Sequence, residues 1–248
     1  MNSANYGAFG DGTEGLEVMD NAPKYNDAIE ALIIEAIGPA SAKARVLDVG
    51  AGSGEYSKRL NSLGYSVTCI EPNPLQAERL RAEGFEVYSD ILDVDAKIVF
   101  SSAYMVNVLE HVEDDIGILR QIRERLADKG VIFVWVPAFE CLYSDFDYSL
   151  GHYRRYRRAN LERALVLAGF DVRGSYYRDS VGWFAALGWK YFPRRTDSMV
   201  SGRAVALYDK VFFPISRSCD LICAPIVGKN VVAVGTCSGK ISDNAQSE

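Results

Sequence analysis

The sequence is poor in the features that most often announce a metal centre or a membrane protein. It holds two histidines, His111 and His152, in 248 residues, and five cysteines: Cys69, Cys141, Cys219, Cys223 and Cys237. Cys219 and Cys223 fall four apart on an expected helix, with no histidine near enough to complete a zinc set. Reduced thiols in a cytoplasmic protein are the expectation. No uninterrupted apolar run approaches the length of a bilayer span. The polar, glycine-rich first residues lack the basic stretch and apolar core of a signal peptide. No internal repeat is visible. Positive charge is also short: 27 Lys and Arg stand against 33 Asp and Glu, a formal net charge of −6 that argues against nucleic acid as a partner. The deficit is uneven. Residues 151–230 carry fourteen basic against six acidic side chains, which leaves open an anionic partner for that region or a solvated basic face.

What the sequence does have is ample core material, with 48% hydrophobic residues over a length that suits one large domain. Residues 1–20 read as a mobile arm. A helix is expected over Asn26–Ile37, with Ile29, Leu32, Ile33 and Ile37 on its apolar face and Gly38-Pro39 as its stop. Strands are expected at Arg45–Val49, Ser66–Glu71, Phe85–Ser89, within Lys97–Val108, and at Gly130–Val136. Helices at Glu55–Leu63, Pro74–Glu83 and Asp114–Ala127 alternate with them. That rhythm predicts a doubly wound α/β fold on a mostly parallel sheet. A helix at Leu161–Ala168 and strands at Phe170–Tyr177 and Asn230–Cys237 bring the strand count to seven.

The stretch from Arg45 to Tyr56 organises the rest. Val46, Leu47 and Val49 suit a strand covered on both faces, Gly50, Gly52 and Gly54 make a turn, and a helix opens at Glu55. The helix presents free N–H groups and its positive dipole end to whatever lies there, so the unit is a nucleotide-type cofactor site. Spacing narrows the ligand. A dinucleotide fingerprint needs Gly-x-Gly-x-x-Gly, but Glu55 stands where its last glycine belongs, and no Gly-Lys-Ser/Thr follows to make a P-loop.

The pattern Asp48-x-Gly50-x-Gly52-x-Gly54 resembles the first motif of class I S-adenosylmethionine-dependent methyltransferases. A second match is Asn107-Val108-Leu109-Glu110-His111-Val112, which resembles the segment after strand four in many small-molecule members. A third is Gly151-His152-Tyr153-Arg154-Arg155-Tyr156, which resembles a bacterial branch often found beside polysaccharide, lipid and secondary-metabolite genes, and so implies O- or N-directed methyl transfer to a small-molecule, sugar or lipid-linked acceptor. The resemblance implies a seven-stranded Rossmann-like sheet with S-adenosylmethionine held by Asp48, Gly50, Ala51, Gly52, Gly54 and Tyr56. It adds Glu71 and Pro72 at the ribose, Asp90 and Ile91 at the adenine, and Asn107 and Val108 beside the methionine part. Some relatives, quinone-biosynthesis O-methyltransferases among them, carry glutamate at the Asn107 position and bind a divalent metal through both glutamates and the histidine of this segment. A neutral amide is a poorer ligand for a hard cation, so no metal is assigned.

For the chemistry itself, the two histidines are the candidate bases, since both fall in segments that the family places around the active site. Tyr143, Arg154, Arg155 and Trp183 are the candidates on the acceptor side. Arg154 and Arg155 have two readings: contacts to an anionic or hydroxyl substrate, or loop residues that satisfy carbonyls. A nicotinamide-dependent oxidoreductase and a non-catalytic cofactor-binding module are the alternatives.

The fold implied by the resemblance joins strands six and seven by a hairpin, whereas here about fifty residues intervene. This insertion, 180–229, concentrates Trp183, Phe184, Trp189, Tyr191 and Phe192, followed at once by Arg194-Arg195. Helices packed on the sheet edge, a lid over the acceptor, a dimer contact and peripheral membrane contact all remain open for it.

Overall fold

The computed structural model describes residues 22–41, 44–191 and 202–237; the arm at 1–20 and Arg194-Arg195 lie outside them. The first element is α1 (Pro23–Ile37), which starts three residues before the expected Asn26 because Pro23 takes the first helical position. There follow β1 (Arg45–Val49), α2 (Glu55–Ser62), β2 (Ser66–Ile70), α3 (Pro74–Ala82) and β3 (Glu86–Tyr88). Next come β4 (Phe100–Val106), α4 (Asp115–Arg125), β5 (Leu126–Pro137), the short α5 (Asp145–Ser149), α6 (Arg158–Leu167) and β6 (Phe170–Arg178). The insertion forms α7 (Ser180–Tyr191), α8 (Gly202–Leu207), a π-turn (Tyr208–Phe212) and α9 (Phe213–Cys223), before β7 (Asn230–Cys237).

The seven strands lie in the order β3-β2-β1-β4-β5-β7-β6. β1 to β5 are parallel, and β7 runs antiparallel to both β5 and β6. β5 begins at Leu126 rather than Gly130, because Leu126 already pairs with Phe100 ahead of a register shift in β4. Alternation along the strands sorts the core. Leu47 and Val49 join the cluster with Leu119, Ile122 and Leu161 from α4 and α6. Val46 joins the opposite cluster with Ile29, Ile33, Leu60 and Leu80 from α1, α2 and α3. Both faces are thus covered, as a parallel sheet requires.

Strand order reverses between β1 and β4. The crevice outside the carboxyl ends of those two strands is where open α/β sheets take their ligands. The glycine turn leaves β1 there, and the Asn107–His111 segment leaves β4 there.

Candidate active site

The glycine turn is satisfied from within. Gly50 and Ala51 donate their N–H groups to the Ile70 carbonyl at 2.8 and 3.1 Å, and Gly54 donates to the Ala51 carbonyl at 2.8 Å. Gly52 donates to Oε2 of Glu71 at 2.7 Å, and Oε1 of the same carboxylate accepts the Asn73 N–H at 2.7 Å. Glu71 therefore ties the loop after β1 to the loop after β2. A carboxylate has about four acceptor sites, so two remain for hydroxyl donors in the crevice. The Gly50, Ala51, Gly52 and Gly54 N–H groups are already spent, so the turn offers little to a diphosphate. It fits a nucleoside ligand without phosphates. Burial pushes the Glu71 carboxyl up, and the two N–H donors work against that.

Two of the glycines are needed for close approach. Gly50 has φ of 75°, and a Cβ there would fall 2.5 Å from Cγ2 of Val108. The segment after β4 thus lies directly against the turn. Gly54, with φ of 78°, caps α2, and a Cβ would fall 2.4 Å from Cδ2 of Leu80 on α3.

Asp48 sits beneath the turn, buried, rather than at its mouth. Its Oδ2 accepts the Ser57 hydroxyl at 2.6 Å and the Tyr104 hydroxyl at 2.7 Å, which pins α2 and β4 to β1. Burial raises its carboxyl to about 6. Tyr56 donates its hydroxyl to Asn26 on α1. Asp90 accepts the Leu92 N–H at 2.9 Å and caps its own turn. The assignment of Ile91 to an adenine face needs correction. Its side chain is 1% exposed and packed in the core, with no free surface to offer a ring. Pro72, beside Glu71, is partly exposed at the crevice.

On the far side of the crevice three loops converge. Asn107 ends β4 in the left-handed region, with φ of 53°, and its side chain is exposed. Glu110 is fully buried, and neither of its carboxylate oxygens has a hydrogen-bond partner among the described residues. Burial lifts its pKa to about 8. The His111 and His152 rings meet edge to face, centroids 4.5 Å apart. Burial first, and then His152, lower His111 to about 4, so it is neutral at physiological pH. Glu110, His111 and His152 each bring one donor atom within 4.8 Å of the others.

His152 is held by Asp147, which sequence reasoning missed. Nδ1 of His152 lies 2.9 Å from Oδ1 of Asp147. Burial works to raise the Asp147 carboxyl, but hydrogen bonds from His152 and Arg155 outweigh it and hold the group well below the usual carboxylate range. An ionised carboxylate only accepts, so Nδ1 carries the proton and Nε2 is left as the acceptor. The only hint in the sequence is a capping box, Ser144-x-x-Asp147, which reads as a helix start and nothing more.

Of the two readings for the arginines, the structure favours the loop role. Arg155 spans Asp147 with Nε at 2.8 Å from Oδ1 and Nη2 at 3.0 Å from Oδ2. Arg154 reaches the Glu113 carbonyl at 2.7 Å and Oδ2 of Asp115 at 3.1 Å. Neither guanidinium is free for an anionic substrate, because a buried carboxylate and an open loop carbonyl claim them first. Tyr143 likewise gives its hydroxyl to the His152 carbonyl at 2.6 Å. Trp183, from the insertion, does reach this side. It packs edge-on to Phe139 at 6.0 Å, Phe139 stacks on Tyr177 at 4.7 Å, and the buried Trp183 indole N–H has no partner among the described residues. Lys190 of the same helix donates to the Cys141 and Tyr143 carbonyls, both at 2.7 Å, and ties α7 to the loop after β5.

The comparisons with known proteins agree with this architecture. Residues 22–174 match a family model described as a methyltransferase domain, more than half of the chain. A ubiquinone biosynthesis O-methyltransferase from Xanthomonas campestris pv. campestris is 32% identical over 100 residues, 37% of this chain and 42% of the relative. The match thus spans under half the length of that curated relative. A SAM-dependent methyltransferase from Archaeoglobus fulgidus superposes with a TM-score of 0.56 at 17% identity, over 85% of this chain and 94% of that one. Another from Thermotoga maritima gives 0.57 at 17%, over 90% and 94%. At such identities the two structures speak for the fold alone.

Proposed function

The chain belongs to the class I S-adenosylmethionine-dependent methyltransferases, and from that premise we propose that it methylates a hydroxyl group of a bulky, partly apolar acceptor, with His152 as general base. S-adenosylmethionine, when bound, supplies a methyl group already activated on a sulfonium centre. The phosphate-free turn and the two open acceptor sites on Glu71 fit its adenosine. Gly50, Gly52 and Asn107 would flank the ligand across the crevice, and Glu71 would take the ribose hydroxyls. On this reading the chain is one methyltransferase domain in a reducing, cytoplasmic setting, with all five thiols free.

The observation that carries the acceptor chemistry is the Asp147–His152 pair. Asp147 fixes the tautomer, Nε2 takes the acceptor proton, and the carboxylate stabilises the imidazolium that results. The pocket suits a neutral acceptor. His111 is uncharged and Glu110 is mostly protonated near pH 7, and both arginines are paired. Phe139 and Trp183, both partly exposed, supply an aromatic surface with Tyr177 buried behind Phe139, and the unpartnered indole N–H of Trp183 lies beneath it. The test is His152→Gln against a panel of phenolic and sugar hydroxyls. Single-turnover methyl transfer should fall by roughly 10²–10⁴ with cofactor affinity unchanged. An unchanged rate would remove His152 as the base.

A second reading rests on Glu110, a buried carboxylate with two unpartnered oxygens beside two imidazoles. That donor set also fits a divalent cation, with Asp147 orienting His152 from behind. It does not depend on Asn107, the position from which the absence of a metal was inferred. Metal analysis of the purified protein, and activity before and after chelation, separate the two readings. Stoichiometric metal whose removal abolishes activity would favour the cation.

A further inference from the structure

The run α8–π-turn–α9 is built inside out. On its inward face, Asp209, Phe213, Ser216 and Asp220 recur at helical spacing and are buried. Three of the four are polar, and all three are spent on the starts of other helices. Asp209 accepts the Lys24 and Tyr25 N–H groups at 3.1 and 2.8 Å at the head of α1. Asp220 accepts those of Asp179 and Ser180, both at 2.9 Å, at the head of α7. Ser216 donates to Asp179 at 2.8 Å and accepts from the Val181 N–H at 3.0 Å. Orphan N–H groups at two helix starts thus dictate a polar inner face.

The outward face is apolar. Leu221, Ile222 and Ile226 are 87%, 80% and 73% exposed, and Val211, Phe212 and Ile215 are exposed beside them. An ordinary surface helix shows the reverse pattern. Among the described residues 202–229, the exposed charge has one sign. Arg203, Lys210 and Arg217 are exposed, whereas the two carboxylates of residues 202–229, Asp209 and Asp220, are buried in the capping bonds just described. A second copy docked face to face would set cation against cation, which counts against a symmetric dimer. No helix among the described residues is long and apolar enough to cross a membrane.

We propose that this face docks on an anionic lipid surface, with Leu221, Ile222 and Ile226 in the headgroup–acyl boundary and Arg203, Lys210 and Arg217 at the lipid phosphates. The proposal concerns a different surface from the acceptor chemistry argued above: α9 packs on α7 and accepts the Tyr177 N–H at its Ala224 end, but Leu221, Ile222 and Ile226 face solvent.

The test is co-sedimentation of the full chain with phosphatidylglycerol vesicles, with phosphatidylcholine vesicles as the control. The protein should partition to the anionic vesicles only, and less as salt rises. Leu221→Ser with Ile222→Ser should lower that partitioning by at least about tenfold. Lys210→Glu with Arg217→Glu should abolish the preference for anionic lipid. Both double variants should keep the wild-type melting temperature and cofactor affinity, since their side chains are exposed. Wild-type protein that stays in the supernatant overturns the proposal, as does partitioning that the apolar variant retains. A dimer by light scattering that the apolar variant makes monomeric also overturns it, in favour of a second copy. An acidic protein partner would show as retention on a polyglutamate matrix without vesicle binding, and that too would end the lipid proposal.

Discussion

The two walls of the crevice are built by different means. The cofactor wall comes from one contiguous stretch, Asp48 to Tyr56, closed by a single carboxylate at Glu71, nineteen residues after Gly52. Its hydrogen bonds are mostly backbone to backbone, and they are satisfied before any ligand arrives. The acceptor wall comes from three loops and the insertion, and its key contacts join side chains: Asp147 to His152 and Arg155, Phe139 to Tyr177 and Trp183. It also keeps polar atoms open, at Glu110 and Trp183. A wall whose backbone groups are paired, with only lone pairs of Glu71 left open, can hold one ligand class for many enzymes. A wall with open groups is where one enzyme differs from the next.

That contrast can be broken most severely on the acceptor side. Asp147→Ala would leave the Arg155 guanidinium, largely buried, without its partner, and should cost about 3–5 kcal/mol in denaturant unfolding. His152 would lose its tautomer lock in the same step. Glu110 gives a pH signature instead. Its folded pKa of about 8 lies above the roughly 4.3 of an unfolded chain. Between those values the native state holds a proton that the unfolded state releases, so stability is fullest at the acid end and falls as pH rises towards 8. In metal-free buffer Glu110→Gln should flatten that fall, for which the two pKa values set an upper bound of about 5 kcal/mol. A melting-temperature series over pH for both proteins reads it directly.

The cofactor wall should respond more locally. Gly50→Ala combines a positive φ with a Cβ too near Val108, and should cost about 2–3 kcal/mol together with most of the cofactor affinity. Val108→Ala added to it should recover the steric part and leave the backbone strain, so the cycle measures how tightly the two walls touch. The smallest effect is expected for Glu71→Gln, about 1–2 kcal/mol in cofactor binding by calorimetry, because the amide keeps one acceptor for the Gly52 N–H.

The same contrast explains what could be read in advance. Strand, glycine turn and helix are local, so their order and most of their boundaries follow from hydrophobic period, glycine and proline, while the starts at Pro23, Leu126 and Arg158 lie three or four residues earlier than expected. The parallel sheet then follows from their alternation. Ile91 was misplaced because an apolar residue after a strand looks the same whether it faces a ring or the core. The two readings of Arg154 and Arg155 could not be separated in advance because their partners, Asp115 and Asp147, lie on other elements, up to 39 residues away for Arg154. The inverted helix of the insertion was unreadable for a similar reason. Asp209 and Asp220 look like solvated charges until the N–H groups of α1 and α7 come to meet them.

By itself, then, the sequence determined the elements, the doubly wound sheet and a nucleotide-type turn whose spacing departs from the dinucleotide fingerprint, because each of these depends on residues a few positions apart. Only the tertiary structure decided which carboxylate holds His152, which arginines are spent, and which face of the insertion is left to solvent. A buried charge or an orphan N–H must find its partner wherever the chain packing brings one within about 3 Å, and that distance is unrelated to separation along the chain.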